Sequence, residues 1–435
     1  MNTNTINTET IIRKHKINSD DYTLADFIEY RDKNIFSKAN LCFEFCQDWK
    51  NKGTYQYMRS LTSACQNRVM MFDEKSGIQR EMIMMASNNY LGLSTHPKII
   101  SAAEKALKKY GTGVSSAPML SGTLDITKKL EKKLAQFKGC EDAILFTTGY
   151  SANVGAISAL VREGDAVIID RLDHASIIDG CRLSDGNIRT FKHNDMDSLK
   201  KQLEICDREF NGKLIVIDGV YSMDGDIARL PEILELARRY NAKVMVDDAH
   251  ASGVIGKHGG GTSDYFNLNN KVDLIMGTFS KTFAATGGFV ASTKEVVNYL
   301  RCYARSYMFS AAPAPSVIAT VLAGLKTLEE EPELRKKLWK NIYYMHNNLQ
   351  SLGYRISPSP PESAIISVQI GSEVTLRKMS KKIHELGIYA NAIPFPAVPK
   401  NQSRFRLSLM ATHTLDDLDI ALDVFDKTGR EYGII

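Results

Sequence analysis

Short apolar runs recur at residues 143–147, 166–170, 214–218, 244–247 and 272–276, and each is nearly continuous where a half-solvated strand would alternate. A strand without polar positions has to be covered on both faces, and amphipathic stretches such as 229–240 lie between the runs to cover them. That rhythm predicts an α/β domain with a mostly parallel sheet. Ligands in such sheets sit beyond the carboxyl ends of the strands. There the runs deliver Gly149, Tyr150, Ser222, Asp247, His250 and Lys281.

With 435 residues, 43% hydrophobic and 24% charged, the chain can build one large core and a smaller domain. We expect an N-terminal helical appendage over 1–65, a large α/β domain over 66–312 and a small α+β domain over 313–435. Basic residues are interspersed with acidic ones, as in KKLEKKL at 128–134, so the formal charge of +5 forms no stripe for nucleic acid. The seven cysteines are odd in number and form no C-x-x-C pair, which suits a reduced, cytoplasmic compartment. Cys42 and Cys46, four apart in an expected helix, read as packing rather than as metal ligands. The first residues, MNTNTINTETIIRKHK, carry no apolar core of a secretory signal, and no apolar run reaches the length of a membrane span. Membrane contact is expected to be peripheral at most.

Taken in order, two apolar runs at 69–72 and 82–86 flank a turn at 73–77 and predict a hairpin that feeds SNNYLGL. A helix is expected over 97–110. The following GTGVSSAPMLSGT superficially matches a dinucleotide fingerprint, but it follows a helix and has Ser116 at the third glycine, so it reads as a pocket-lining loop. Thr123 or Asp125 is expected to cap the next helix. After Pro313 and Pro315 one long helical segment reaches about 351. Short strands near 354–357, 364–369 and 404–410 follow, with a proline-rich turn at 394–399 and a helix over 415–425.

The chemistry concentrates in VDLIMGTFSKTFAATGGFVA, where Lys281 is a lone amine just past a strand. An amine lifted partly out of water prefers its neutral, nucleophilic form. Asp247-Asp248-Ala249-His250 ends another strand; it resembles a helicase box, but no phosphate loop accompanies it, and no third ligand supports a metal. A carboxylate that keeps a pyridine nitrogen protonated and a lysine that holds the same ring as an imine account for Asp247 and Lys281 together. The turn TTGYSAN offers the N-terminus of a helix to a phosphate. His174, in DHAS, supplies a flat ring able to stack.

The segments NNYLGLSTHP, TTGYSANVG, DHASIIDG, GVYSMDGDIARLPEI, VDDAHASGVIG and GTFSKTFAATGGF resemble the α-oxoamine synthases, a family of pyridoxal 5'-phosphate (PLP) enzymes of fold type I. Within it, LRCYARSYMFSA and RLSLMATHT are most similar to the bacterial serine palmitoyltransferases. The resemblance implies that Lys281 carries the cofactor and later removes the α-proton. It gives Gly149, Tyr150 and Thr278 to the phosphate, Asp247 to the ring nitrogen, and His250 and Ser222 to the phenolic oxygen, with His174 above the ring and Ala249 leaving room beneath it. Lys281 and His174 are thus the catalytic candidates. Arg406 would bind the amino-acid carboxylate, and Asn88 or Asn89 would reach the substrate. The implied reaction joins an α-amino acid to an acyl thioester of coenzyme A or acyl carrier protein with loss of carbon dioxide, in a homodimer. Ser116-Ala117-Pro118 stands where the family usually has Gly-Ser-Arg, and Phe395 replaces a proline usual among serine palmitoyltransferases. Serine, glycine, alanine and cysteate therefore stay open as donors, beside an aminotransferase of the same fold. The presence of Lys281 argues against a non-catalytic subunit.

Overall fold

A computed structural model describes residues 17–28, 30–55, 57–73 and 77–435 of the protein. Most of the expected N-terminal tail, and positions 74–76 of the hairpin turn, lie outside the described residues. In chain order the strands are β1 (Ser60–Leu61), β2 (Arg68–Asp73), β3 (Ile78–Met84), β4 (Asp142–Phe146), β5 (Ala166–Asp170), β6 (Asn187–Phe191), β7 (Lys213–Asp218), β8 (Lys243–Asp247), β9 (Leu274–Thr278), β10 (Gly288–Ser292), β11 (Ile356–Ser357), β12 (Ile365–Gly371), β13 (Ile388–Tyr389), β14 (Asn391–Ile393) and β15 (Ser403–Ser408).

The central sheet has seven strands in the order β4-β10-β9-β8-β7-β5-β6. Neighbours from β6 through β9 pair in parallel, and β10 runs antiparallel between β9 and β4. The apolar runs became buried strands as expected. β6 escaped that criterion because it is the edge strand, and NIRTF is mostly solvated. Register aligns the carboxyl ends: Asp218 pairs with Asp247, Asp247 with Met276, and Thr278 with Gly288. Helices cover both faces. Ala152, Ala156 and Ile157 of the helix Gly149–Leu160 pack with Phe146, Val167 and Met276 on one side, and Leu199, Leu203, Leu230 and Ile233 pack with Ile215 and Val244 on the other. Each of the larger of these side chains contributes about 1.5–3 kcal/mol on leaving water.

The expected hairpin forms between β2 and β3, and β3 then pairs in parallel with β13, so this ladder joins the C-terminal part of the chain. β11, β12, β15 and β14 form a second small sheet. The single long helix expected up to 351 is two, Pro315–Glu330 and Glu333–Ser351. Pro332 explains the break, since it has no N–H to donate and pushes Glu331 out of the helical region, to φ −125 and ψ 60. The final helix runs from Leu415 to Glu431, past the expected 425, with Arg430 paired to Asp426 on its last turn. Neither Thr123 nor Asp125 caps the helix Asp125–Lys138. Thr123 Oγ1 donates to the Pro118 carbonyl, Asp125 accepts from the Tyr110 hydroxyl, and the Leu124 amide is met by Thr127 Oγ1 instead.

The N-terminal helices Ala25–Ile28 and Ser37–Asn51 gather Phe27, Phe45 and Trp49 into a small cluster. That cluster docks on the helix Glu373–Glu385, whose Arg377 stands 4.3 Å above the Trp49 ring and donates to the Ser19 carbonyl. All seven cysteines are free thiols. Among the described residues no helix is long and apolar enough to cross a membrane.

Candidate active site

At the carboxyl ends of β7, β8 and β9 a cavity of about 280 Å³ is lined by Gly149, Tyr150, His174, Asp218, Asp247, Ala249, His250, Thr278, Ser280 and Lys281, among others. A larger groove of about 890 Å³ crosses the opposite ends of the strands; of the cations that line it, Lys213 pairs with Asp207 and Lys243 with Asp273.

Lys281 sits in the connection from β9 to β10. That connection is closed at its base by the Phe279 amide to the Gly287 carbonyl and braced within by Ala284 N to Lys281 O and by Thr282 Oγ1 to Ser252 O. Gly287 has φ 133, and a side chain there would come within 2.6 Å of the Phe279 ring, so this turn needs glycine. The lysine is thereby aimed by backbone. Its amine makes no hydrogen bond or ion pair among the described residues. Burial pushes its pKa below the ordinary lysine value, opposed by the Asp247 charge and assisted by Arg406.

Asp247 is 4% exposed, and both its oxygens are satisfied: Oδ2 by Asn153 Nδ2 at 2.7 Å and Oδ1 by the Ala249 amide at 2.9 Å. Asn153 projects from the first turns of the helix Gly149–Leu160, capped by Thr148 and Ser151. The first two amides of that helix, those of Gly149 and Tyr150, have no protein acceptor among the described residues. A Cβ on Gly149 would lie 2.8 Å from Thr278 Oγ1, which itself contacts Ser280 Oγ at 2.9 Å. Free amides beside two hydroxyls and a bare backbone make a cradle for a phosphate.

His174 caps its own helix, with Nδ1 at 2.8 Å from Ser176 Oγ, and its ring stands edge-on to Tyr150 at 6.5 Å. His250 is buried and contacts the Tyr90 hydroxyl through Nδ1 at 2.7 Å. Burial lowers both imidazoles, His250 well below the usual value, with Lys281 and Arg406 adding repulsion, so neutral rings face the cavity.

Arg406 on β15 reaches the edge of the site. Nε donates to the Ser222 carbonyl and Nη1 to Asn88 Oδ1 at 3.1 Å and Ser408 Oγ at 3.0 Å, and the guanidinium also stands beside the Tyr90 hydroxyl. Ser222 and Asn88 thus stand beside Arg406. Asn89 does not reach the site: its amide is spent on the Cys65 carbonyl and Ser94 Oγ, which makes it a buried brace of the turn.

Sequence reasoning assigned no role to Asn153, Tyr90 or Asp218. Asp218 is 4% exposed, and burial with the neighbouring Asp247 charge drives its carboxyl well above the usual range, while Oδ1 has no partner. The signal was available, since Asp218 ends an apolar run as Asp247 does.

An unpaired amine, a doubly anchored carboxylate and an anion cradle around one small cavity suit a flat, phosphorylated, nitrogen-containing aldehyde, and that demand defines the class: a PLP-dependent enzyme of fold type I. Residues 80–425 match the family model described as aminotransferase class I and II. The chain is 45% identical to serine palmitoyltransferase of Sphingobacterium spiritivorum, over 89% of this chain and 95% of that one. It is 42% identical to 8-amino-7-oxononanoate synthase of Thermoanaerobacter pseudethanolicus, over 90% and 97%. A solved structure of SPT with its PLP internal aldimine superposes with a TM-score of 0.88 at 33% identity, over 93% of this chain and 100% of that one. The protein belongs to the α-oxoamine synthases, the acyl-transferring branch of this PLP-dependent family.

Proposed function

We propose that the protein condenses an α-amino acid, L-serine first, with a long-chain acyl thioester, releasing carbon dioxide and giving an aminoketone such as 3-ketosphinganine for sphingolipid-type synthesis. The observation that carries the reading is that an unpaired Lys281 and a doubly anchored Asp247 share one cavity, with the charge of Arg406 near enough to act on Lys281 and His250. The 45% identity to a serine palmitoyltransferase supports the choice of serine.

When bound, the pyridine ring supplies an electron sink for a carbanion at the amino acid's α-carbon. The chain's residues do the rest. Gly149 and Tyr150 amides with Thr278 and Ser280 hydroxyls would hold the phosphate, and Asp247 would keep a proton at the ring nitrogen. His250 and Ser222 would serve the phenolic oxygen, and His174 would cover the ring. Arg406 would take the substrate carboxylate, and Asn88 orients that guanidinium. Lys281, with its proton affinity lowered, would hold the cofactor and would be the base for the α-proton. Water has to be kept from the α-carbon until the thioester arrives. We assign that to the turn at 394–399 between β14 and β15; replacing Pro396 and Pro399 by glycine then raises proton exchange at the α-carbon relative to product, and an unchanged ratio dismisses the assignment.

The identity to an 8-amino-7-oxononanoate synthase, and Ser116-Ala117-Pro118 in the loop before the site, support a second reading in which the donor is alanine, glycine or cysteate. The acyl carrier is coenzyme A or acyl carrier protein. Seven free thiols suit the cytoplasm, and a homodimer is the expected assembly. The test is a visible spectrum of the purified protein titrated with single amino acids, followed by thiol release from an acyl-CoA panel. A spectral shift and thiol release confined to one amino acid name the donor. Amino-group exchange without thiol release points to an aminotransferase and ends this reading.

A further inference from the structure

Between the helix Ser37–Asn51, the β2–β3 ladder and the helix Glu373–Glu385 lies a second cavity of about 590 Å³, within the size range of small-molecule sites. Among the described residues, Lys50, Arg59, Arg80 and Lys381 line it against Asp73 and Glu385, which leaves an excess of two positive charges among them. Among the described residues Arg80 meets Asp73 only at 3.9 Å, and Lys50, Arg59 and Lys381 form no ion pair. Other cations that do find carboxylates include Arg162 with Asp185 and Arg229 with Glu232. Among the described residues the lining of this cavity is short of negative charge.

Two groups on the walls register that shortage. Arg59 is partly buried, and its Nε is enclosed without a hydrogen-bond partner. Such a donor costs free energy until something accepts from it. His384 is 8% exposed, faces the cavity, and is held neutral: burial, then the charges of Arg59 and Arg80, lower its pKa to about 4, with Asp73 the opposing group and the Tyr389 ring edge-on at 5.7 Å. Beyond burial, the two guanidinium charges that act on this imidazole are ones an anion in the cavity would offset. Tyr55 and Phe72 add aromatic faces beside the charges.

We propose that this cavity binds a small organic phosphate monoester, its anionic head between Arg59 and Arg80 and its carbon skeleton against Tyr55 and Phe72. A phosphate monoester carries about −1.5 to −2 at pH 7, which matches the local excess, and guanidinium forks meet its oxygens in pairs. The site is separate from the cofactor cradle and does not depend on the reaction assigned to Lys281. Binding also draws a proton onto His384, because the ligand's charge offsets that of the two arginines.

Calorimetric titration of the PLP-loaded protein with AMP, inorganic phosphate and adenosine tests this. AMP should bind saturably, phosphate more weakly or equally, and adenosine not at all. Arg59→Ala and Arg80→Ala should each weaken AMP roughly 10-fold or more, whereas Lys326→Ala on a distant helix should not. At about pH 6, heats in two buffers of different ionisation enthalpy should reveal proton uptake that vanishes in His384→Gln. Cofactor absorbance and thermal unfolding verify each variant's fold; should Arg59→Ala fail to fold, the double variant Lys50→Ala, Lys381→Ala at the rim reports the same loss. Absence of saturable heat with both anions, tighter binding of adenosine than of AMP, or AMP binding that survives the arginine and rim substitutions overturns the proposal.

Discussion

Lys138 and Lys281 both leave bulk water, but their surroundings differ. The Lys138 amine is fully enclosed and meets Asp248 Oδ2 at 2.7 Å, Ser252 Oγ at 2.8 Å and the Gly260 carbonyl at 2.7 Å. Lys281 has no such partner among the described residues and lines an open cavity. Their aspartates are chain neighbours: Asp247 faces the cavity, and Asp248 turns the other way to Lys138 and to Thr262. A lysine given three acceptors is a fixed charge that fastens β8 to its surroundings. A lysine given none, on the wall of a cavity, is left available as a nucleophile.

The contrast breaks first at the nucleophile. Lys281→Ala should cut turnover at least about 10³-fold with the fold intact, and borohydride reduction followed by peptide mapping should fix the cofactor at 281 in the wild type only. Lys138→Ala should do the opposite, leaving turnover per folded molecule near normal while costing about 3–5 kcal/mol, because Asp248 is left buried and charged; denaturant unfolding measures it. The aspartates should follow their lysines. Asp247→Asn should lower turnover by about 10²-fold with little loss of stability, and Asp248→Asn should reverse that pattern. The smallest effect is in pH dependence. The folded Lys281 amine binds its proton less tightly than the unfolded one, so between its lowered pKa and the ordinary value the unfolded chain holds more protons and stability rises with pH. Unfolding of cofactor-free protein along a pH series should show that slope, and Lys281→Met should flatten it.

Much of this arrangement was legible in the sequence, because continuous apolar runs fix both the strand and the end at which polar residues emerge. Gly149, Tyr150, His174, Asp247, His250, Thr278 and Lys281 all came to one cavity for that reason. What was not legible depended on contacts between distant segments. Nothing local distinguishes Asn88 from Asn89; the first meets Arg406 across 318 positions, and the second turns inward to Cys65 and Ser94. Tyr90 pairs with His250 across 160 positions. Edge strand β6 was missed because solvent leaves its composition polar, and the break at Pro332 was missed because apolar periodicity resumes directly after it.

The antiparallel strand β10 gives the β9–β10 connection a further property. Strands bonded on both flanks anchor its two ends, with Thr278 facing Gly288, so the reactive amine is presented by the framework itself whether or not a ligand is there. The emptied protein is thus a receptor that stays set, and it should be able to surrender its vitamin-derived group and take it up again through many rounds without refolding.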